Sequence, residues 1–310
     1  EEVHLGVIKV PDQRIDSLAA IFNPRKVTYA EIQFADFPPQ AKESSKASAT
    51  LLSQMREVEA IALVLRSFEA DSKPLRELDE LLDEMILADL VVAENRLARL
   101  KKEKGKEGEG RVLQHCQEAL DQGLRLRAVP LTAEEESLLS GFAFLSRKPV
   151  LALFDLADDQ AGEDLVPEYH RAVESRGIQA FAVAGKLEME IAQLNESDRE
   201  GFLQEAGLKE TARARFIRAC YHLLDLISFF TTGEDEVKAW TISRGTPARK
   251  AAGKIHSDIE RGFIRAEVVT YEEFIALGSE VKCKEAGKLR LEGKDYTVQD
   301  GDIIHFRFNV

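Results

Sequence analysis

Long apolar runs are missing from this sequence. None approaches the roughly 20 residues that a membrane-spanning helix needs, so nothing reads as a span. Nor is there a basic start followed by an apolar stretch, the mark of a secretory signal. Cysteine is scarce: Cys116, Cys220 and Cys283 lie far apart in 310 residues. That spacing gives no metal-ligand set and points to small buried thiols in a reducing cytoplasm. An excess of positive charge is absent as well, with 42 Lys+Arg against 55 Asp+Glu and a net charge of -13. This balance excludes a protein that coats nucleic acid by bulk electrostatics, so any such contact must use a local patch. What is present, 44% hydrophobic and 31% charged residues, suffices for real cores in two or three domains. The first residue is Glu1 rather than Met, which leaves room for a natural start upstream.

The first stretch alternates apolar runs with turns. Leu5–Val10 reads as a strand, closed by Pro11-Asp12, which can start a helix over Arg14–Phe22. Asn23-Pro24 ends that helix, because the residue before a proline is pushed out of the α region. Thr28–Ala35 alternates as a strand and leads into Asp36-Phe37-Pro38-Pro39, a loop, since consecutive prolines cannot sit inside a sheet. After the polar stretch Gln40–Ala49, a helix to about Val58 precedes a buried strand at Ala60–Arg66. Further apolar runs at Val150–Phe154 and Gln179–Ala184, the latter followed by Gly185 and a helix through Leu194, extend the pattern. Strand, helix and strand in alternation predict an α/β fold with a parallel sheet. Loops at the carboxyl edge of such a sheet are where these folds bind ligands.

Between those halves the period changes. Leu75, Leu78, Leu82, Ile86, Leu90, Ala93, Leu97 and Leu100 form the stripe of one long helix. Acidic residues crowd its start and Arg96, Arg99, Lys101 and Lys102 its end, which complements the helix dipole. Gly105–Gly110 breaks it, and Leu113, Cys116, Leu120 and Leu124 start a second stripe. Together they predict an antiparallel helical hairpin, a structural or partner-binding arm.

After a helix at Ala212–Leu226 the remainder reads as a small separate module. Its strand candidates are Val237–Ile242, Phe263–Val269 and Ile303–Phe308, with one helix and tight turns at Gly293-Lys294-Asp295 and Asp300-Gly301-Asp302. Charge is unevenly placed, 13 Lys+Arg against 14 Asp+Glu in 227–310 but 29 against 41 in 1–226. No acidic residue occurs from Val237 to Ser257, which contains Lys238, Arg244, Arg249, Lys250 and Lys254. These five are the candidate nucleic-acid contacts. His256 has no nucleophile or metal partner nearby in sequence and reads as a hydrogen-bonding residue; Trp240 reads as core.

Longer motifs carry a resemblance. The run from Ala251-Ala252-Gly253-Lys254-Ile255-His256-Ser257-Asp258 to Glu267, the terminus from Gly287-Lys288-Leu289-Arg290 through Phe308-Asn309-Val310, Phe229-Phe230-Thr231-Thr232-Gly233 and Ala239-Trp240-Thr241 resemble the YchF/Obg-like ATPase family. Val10-Pro11-Asp12, Ala88-Asp89-Leu90 and Lys148-Pro149-Val150 fall in family order, so the resemblance spans the chain. It implies a P-loop NTPase-type α/β domain over 1–74 and 147–226, an inserted helical hairpin over 75–146, and a β-grasp-like TGS domain over 227–310. It also implies ATP or GTP with Mg2+ as cofactors, the ribosome or RNA as partners through the TGS-like domain, and a cytoplasmic setting without a membrane.

That chemistry needs a loop of the form Gly-x-x-x-x-Gly-Lys-Ser/Thr around the phosphates, and the 310 residues contain none. By resemblance its place is upstream of Glu1. At the family's Asp-x-x-Gly magnesium-and-switch motif stands Asp36-Phe37-Pro38-Pro39, whose final proline has no N–H for a γ-phosphate. The Gly-rich switch that follows in the family appears as Lys46-Ala47-Ser48-Ala49-Thr50. At the base-recognition Asn-x-x-Glu stands Asp155-Leu156-Ala157-Asp158, where a carboxylate replaces the amide donor and the Leu156 backbone is left to touch a base edge. The implied site residues are therefore Asp36 for metal and Asp155, Leu156 and Asp158 for nucleotide. Two functional expectations follow: a divergent homologue with weak or lost hydrolysis acting as a ribosome- or RNA-associated binder, or an active hydrolase whose Walker loop lies upstream.

Overall fold

The computed structural model describes residues 3–37, 49–103, 105–161, 165–205 and 210–309. The expected proline loop at Pro38-Pro39 and the polar stretch through Ser48 lie outside the described residues. The chain divides into two compact units, Glu1–His4 with Ala35–Arg213, and Leu5–Phe34 with Ala214–Val310.

The chain opens with β1 (His4–Lys9), α1 (Gln13–Phe22), β2 (Lys26–Thr28) and β3 (Glu31–Asp36), and β1 pairs with β3. The Asp12 carboxylate accepts the Arg14 backbone N–H and caps α1. Asn23, in the left-handed region at φ 45, ends it ahead of Pro24.

In the first unit, α2 (Ala49–Met55) leads into β4 (Ile61–Arg66). After α3 (Pro74–Leu100), α4 (Glu107–Asp121) and α5 (Ala133–Leu139) come β5 (Val150–Asp155), α6 (Pro167–Ser175), β6 (Gln179–Val183), α7 (Gly185–Gln193) and α8 (Glu196–Glu205). The three strands run parallel in the order β4-β5-β6, in register from Ile61↔Val150 to Arg66↔Asp155 and from Leu151↔Gln179 to Asp155↔Val183. Leu63, Leu65, Leu78, Met85, Phe154 and Val173 belong to the core around that sheet. Among the described residues the outer edge of β4 pairs with no strand, and Val64 is 63% exposed. Interior parallel strands are ordinarily covered on both faces.

Helices α3 and α4 bury a second cluster, including Ala93, Leu113, Cys116 and Leu120. Gly108 and Gly110 sit inside α4 rather than in the break expected over Gly105–Gly110. Each glycine costs a helix about 1 kcal/mol relative to alanine. Packing offsets this: Leu100 Cδ1 lies 3.9 Å from where a Gly110 Cβ would be, and Arg96 Nε meets Glu109 Oε1 at 2.6 Å. At the arm's base the fully buried Asp89 accepts from Arg56 Nη1 at 2.8 Å, Leu145 N at 3.0 Å and Ser146 N at 2.7 Å.

The remaining elements are α9 (Ala212–Leu223), β7 (Leu226–Thr231), β8 (Glu236–Ser243), α10 (Ala248–Ile255), α11 (Ser257–Arg261), β9 (Phe263–Thr270), α12 (Tyr271–Leu277), α13 (Glu280–Glu285), β10 (Arg290–Glu292) and β11 (Asp302–Phe308). The second unit holds a six-stranded sheet in the order β10-β9-β11-β7-β8-β2. Helix α9 stops at Leu223, short of the expected Leu226, because Asp225 turns left-handed at φ 51 and Leu226 begins β7. Four helices, not one, follow the strand β8. Ile227, Phe229, Ala251, Val268 and Phe306 are among the residues that form the core. Residues 5–34, which the sequence reading grouped with the α/β part, pack in this unit. Among the contacts that hold them, β2 runs parallel to β8 (Lys26↔Glu236 to Thr28↔Lys238), Phe22 stacks on Phe274 at 5.4 Å, and Arg14 pairs with Asp300. Among the described residues no helix is long and apolar enough to cross a membrane.

Candidate functional site

The parallel strands β5 and β6 end side by side, with Asp155 opposite Val183 in register. Their carboxyl ends bring Asp155, Leu156 and Asp158 together with Gly185 and Lys186. Helix α7 starts at Gly185 behind Ala184, which has no side chain able to cap it. Asp155 supplies the missing acceptor: its Oδ1 takes the Gly185 N–H at 2.9 Å. A carboxylate at a helix N-terminus gains from the dipole as well as from the hydrogen bond. The approach is tight, since a Cβ on Gly185 would stand 3.0 Å from Asp155 Oδ1.

The Leu156 N–H donates to the Val183 carbonyl at 2.7 Å, which leaves its own carbonyl as the backbone group on offer at that position. Exposed Asp158 pairs with Lys186 at 3.1 Å, and that hydrogen bond holds the Lys186 ammonium above its ordinary range. Sequence reasoning missed Gly185 and Lys186 as neighbours of Asp155 and Asp158. The signal was there in the strand–Gly–Lys–helix order, but the parallel register that joins them is set only in three dimensions.

Asp36 ends β3 and is exposed. Among the described residues, no group of three or more His, Cys, Asp or Glu is placed to hold a metal ion. The buried thiols are raised by burial, Cys116 to about 11 and Cys220 to about 12, as inert core thiols are.

The five basic residues do not form one free patch. Lys238 lies over the Trp240 ring, 3.7 Å from its centroid, and the Trp240 indole N–H donates to Thr231 Oγ1. Arg244 pairs with Asp225 at 3.0 Å. Arg249, Lys250 and Lys254 share α10 and are exposed. Lys250 Nζ meets Glu260 Oε1 at 2.7 Å, and Arg249 Nε donates to the Glu260 carbonyl at 3.1 Å. Among the described residues Arg249 and Lys254 make no ion pair. The Lys250 ammonium holds the Glu260 carboxyl below its usual range. His256 accepts the Asp258 N–H on Nδ1 and caps α11, a structural hydrogen bond.

Comparison with known proteins decides the family. The chain is 38% identical over 327 residues to the "Ribosome-binding ATPase YchF" of Bacillus subtilis, covering 99% of this chain and 89% of that protein. It is 39% identical over 326 residues to the protein of that name from Haemophilus influenzae, covering 100% and 90%. The chain belongs to the YchF family. Residues 226–309 match the YchF-GTPase_C family, described as a protein of unknown function (DUF933). The solved YchF GTPase of Schizosaccharomyces pombe superimposes with a TM-score of 0.90 at 25% identity, over 98% of this chain and 87% of that one. The expected α/β fold is thereby established. Against a YchF-type nucleotide, the residues present fit unevenly. Asp155, Leu156 and Asp158, the residues expected to meet the base, lie together at the carboxyl ends of β5 and β6, but no Gly-x-x-x-x-Gly-Lys-Ser/Thr occurs in the 310 residues.

Proposed function

We propose that this protein is a YchF-type nucleotide-fold protein with weak or lost hydrolysis that acts as a ribosome- or RNA-associated binder. The observation that carries the first half is the engagement of Asp155. A residue at the base-recognition position whose carboxylate caps α7 offers a purine an acceptor in place of an amide donor. The relatives named ribosome-binding support the second half, together with Arg249, Lys250 and Lys254 exposed on one helix. This reading includes a helical hairpin over 75–146, a TGS-like domain over 227–310 with residues 5–34 packed in the same unit, and a cytoplasmic setting.

A second reading, an active ATP or GTP hydrolase, is favoured by the unpaired edge of β4. In that reading a phosphate loop from chain outside these residues lies against the sheet, Asp36 serves Mg2+, and Asp155, Leu156 and Asp158 serve the base. Calorimetric titration of the protein with ATP and with GTP, each with Mg2+, separates the two. Heats too small for micromolar binding agree with the first reading; micromolar binding with turnover overturns it. For the RNA half, reversing charge at Arg249 and Lys250 should weaken co-sedimentation with ribosomes, and unchanged co-sedimentation would count against it.

A further inference from the structure

The sequence from Val237 to Ser257 contains no acid, yet the fold returns one to the middle of its basic helix. Glu260, on α11, reaches back over α10. Its carboxylate holds Lys250 at 2.7 Å and its carbonyl takes the Arg249 Nε–H at 3.1 Å. The lysine is 69% exposed at its side chain and the glutamate 28%, so the cation faces outward and the acid is tucked beneath it. Gly253 makes this possible. A Cβ there would stand 2.3 Å from Glu260 Oε2 and 3.0 Å from its Cδ, so no other residue leaves that space free. A glycine in the middle of a helix costs about 1 kcal/mol relative to alanine. Here the glycine coincides with the place where the Glu260 carboxylate lies.

We propose that Glu260 is an intramolecular mask on Lys250, a carboxylate standing where an RNA phosphate binds, which sets the affinity of this helix for RNA. The proposal rests on the RNA-binding reading above and deepens it. An ammonium paired at 2.7 Å must exchange one anion for another before it can touch a phosphate. Glu260, once released, takes up a cation from solution, which cancels part of the counterion release that drives binding. Arg249 and Lys254, which make no ion pair among the described residues, form the initial contact. Lys250 adds to it only when Glu260 yields.

The test uses the full chain and a fluorescently labelled 20-nucleotide poly(U) RNA, with anisotropy read from 50 to 200 mM KCl. Glu260→Gln keeps a hydrogen-bond acceptor for Lys250 but removes the charge. It should bind about 2- to 5-fold tighter, the range of an exposed ion pair, with a log–log salt slope steeper by about 0.7, one single-strand phosphate. Gly253→Ala, whose Cβ displaces the carboxylate from its present position and which favours the helix, should shift affinity in the same direction. The gain from Glu260→Gln should vanish in a Lys250→Gln background. Wild-type binding with no gain in Glu260→Gln, or a gain that persists without Lys250, overturns the mask and leaves the RNA reading standing. No binding by wild type or by either variant overturns both.

Discussion

Arg14 and Asp300, 286 residues apart in the chain, meet at 2.9 Å. The guanidinium also forks onto Asp12 through Nε and Nη2, and it lies 5.2 Å from the centre of the Phe230 ring. Asp300 in turn accepts the Ser228 N–H at 2.9 Å, so one carboxylate ties α1 to β7. Gly301 is constrained by the same clamp, because a Cβ there would stand 3.0 Å from Arg14 Nη1 and its φ is 89. Arg14→Met keeps the aliphatic stem and removes the fork. It should cost about 1–2 kcal/mol, the range for charged hydrogen bonds discounted for exposure. The protein's one tryptophan, Trp240, sits in the same unit and reports its urea unfolding by fluorescence. An unshifted midpoint would show that the clamp does not stabilise the unit.

Asp155 offers a contrast between two substitutions. Asp155→Ala leaves the first turn of α7 uncapped and should cost about 1 kcal/mol. Asp155→Asn retains an oxygen for the Gly185 N–H and should cost less, while restoring an amide donor at the position expected to read a base. Far-ultraviolet circular dichroism during urea unfolding gives the stability order; calorimetry gives any gain in nucleotide binding. Equal stability losses for both variants would contradict the capping role.

Asp89 predicts the largest loss. It is fully buried, and removing its carboxylate strands Arg56 and the N–H groups of Leu145 and Ser146. Breaking a buried pair from one side costs about 3–5 kcal/mol. Asp89→Ala should therefore lose most of the first unit's stability, with faster hydrogen exchange at the Leu145 and Ser146 amides. Native-like protection at both amides would argue that the loop at 143–148 is held by packing alone.

How much of this was readable beforehand follows from the range of each interaction. The helix α3 was legible because Leu78, Leu82 and Ile86 repeat at helical spacing, a purely local signal. β5 was legible as an apolar run bounded by Pro149 and Asp155. The placement of residues 5–34 was not, because it depends on β2 meeting β8 and on Arg14 finding Asp300, pairings that carry no periodicity. The same holds for the candidate site. Asp155 and Asp158 could be named from a four-residue motif, but Gly185 and Lys186 joined them only through the parallel register. Likewise the acid-free run names five candidate cations, but the partners of three of them, Asp225, Trp240 and Glu260, are set only by the fold.

A last prediction concerns pH and Asp302. Its side chain is 1% exposed; one oxygen accepts the Tyr296 hydroxyl at 2.8 Å and the Gln299 N–H at 2.9 Å, and the other has no hydrogen-bond partner. Burial raises its carboxyl above the ordinary range, more than these hydrogen bonds and Arg290 lower it. Burial also pushes the Tyr296 phenol up to about 12, helped by its bond to Asp302. A carboxyl whose folded pKa is raised binds its proton more tightly in the folded state. Its contribution to stability is therefore fullest below the unfolded pKa and is lost as pH rises through the folded one. Asp302→Asn removes that titration while keeping one oxygen for Tyr296 and Gln299. The stability of wild type relative to Asp302→Asn should therefore fall as pH is raised from about 4, near the unfolded aspartate pKa, to neutrality. Urea unfolding of both proteins across that range, followed at Trp240, measures the difference. A gap that stays constant with pH would mean that the Tyr296 and Gln299 hydrogen bonds balance burial at this site, and one that widens in favour of wild type on raising pH would mean that they outweigh it.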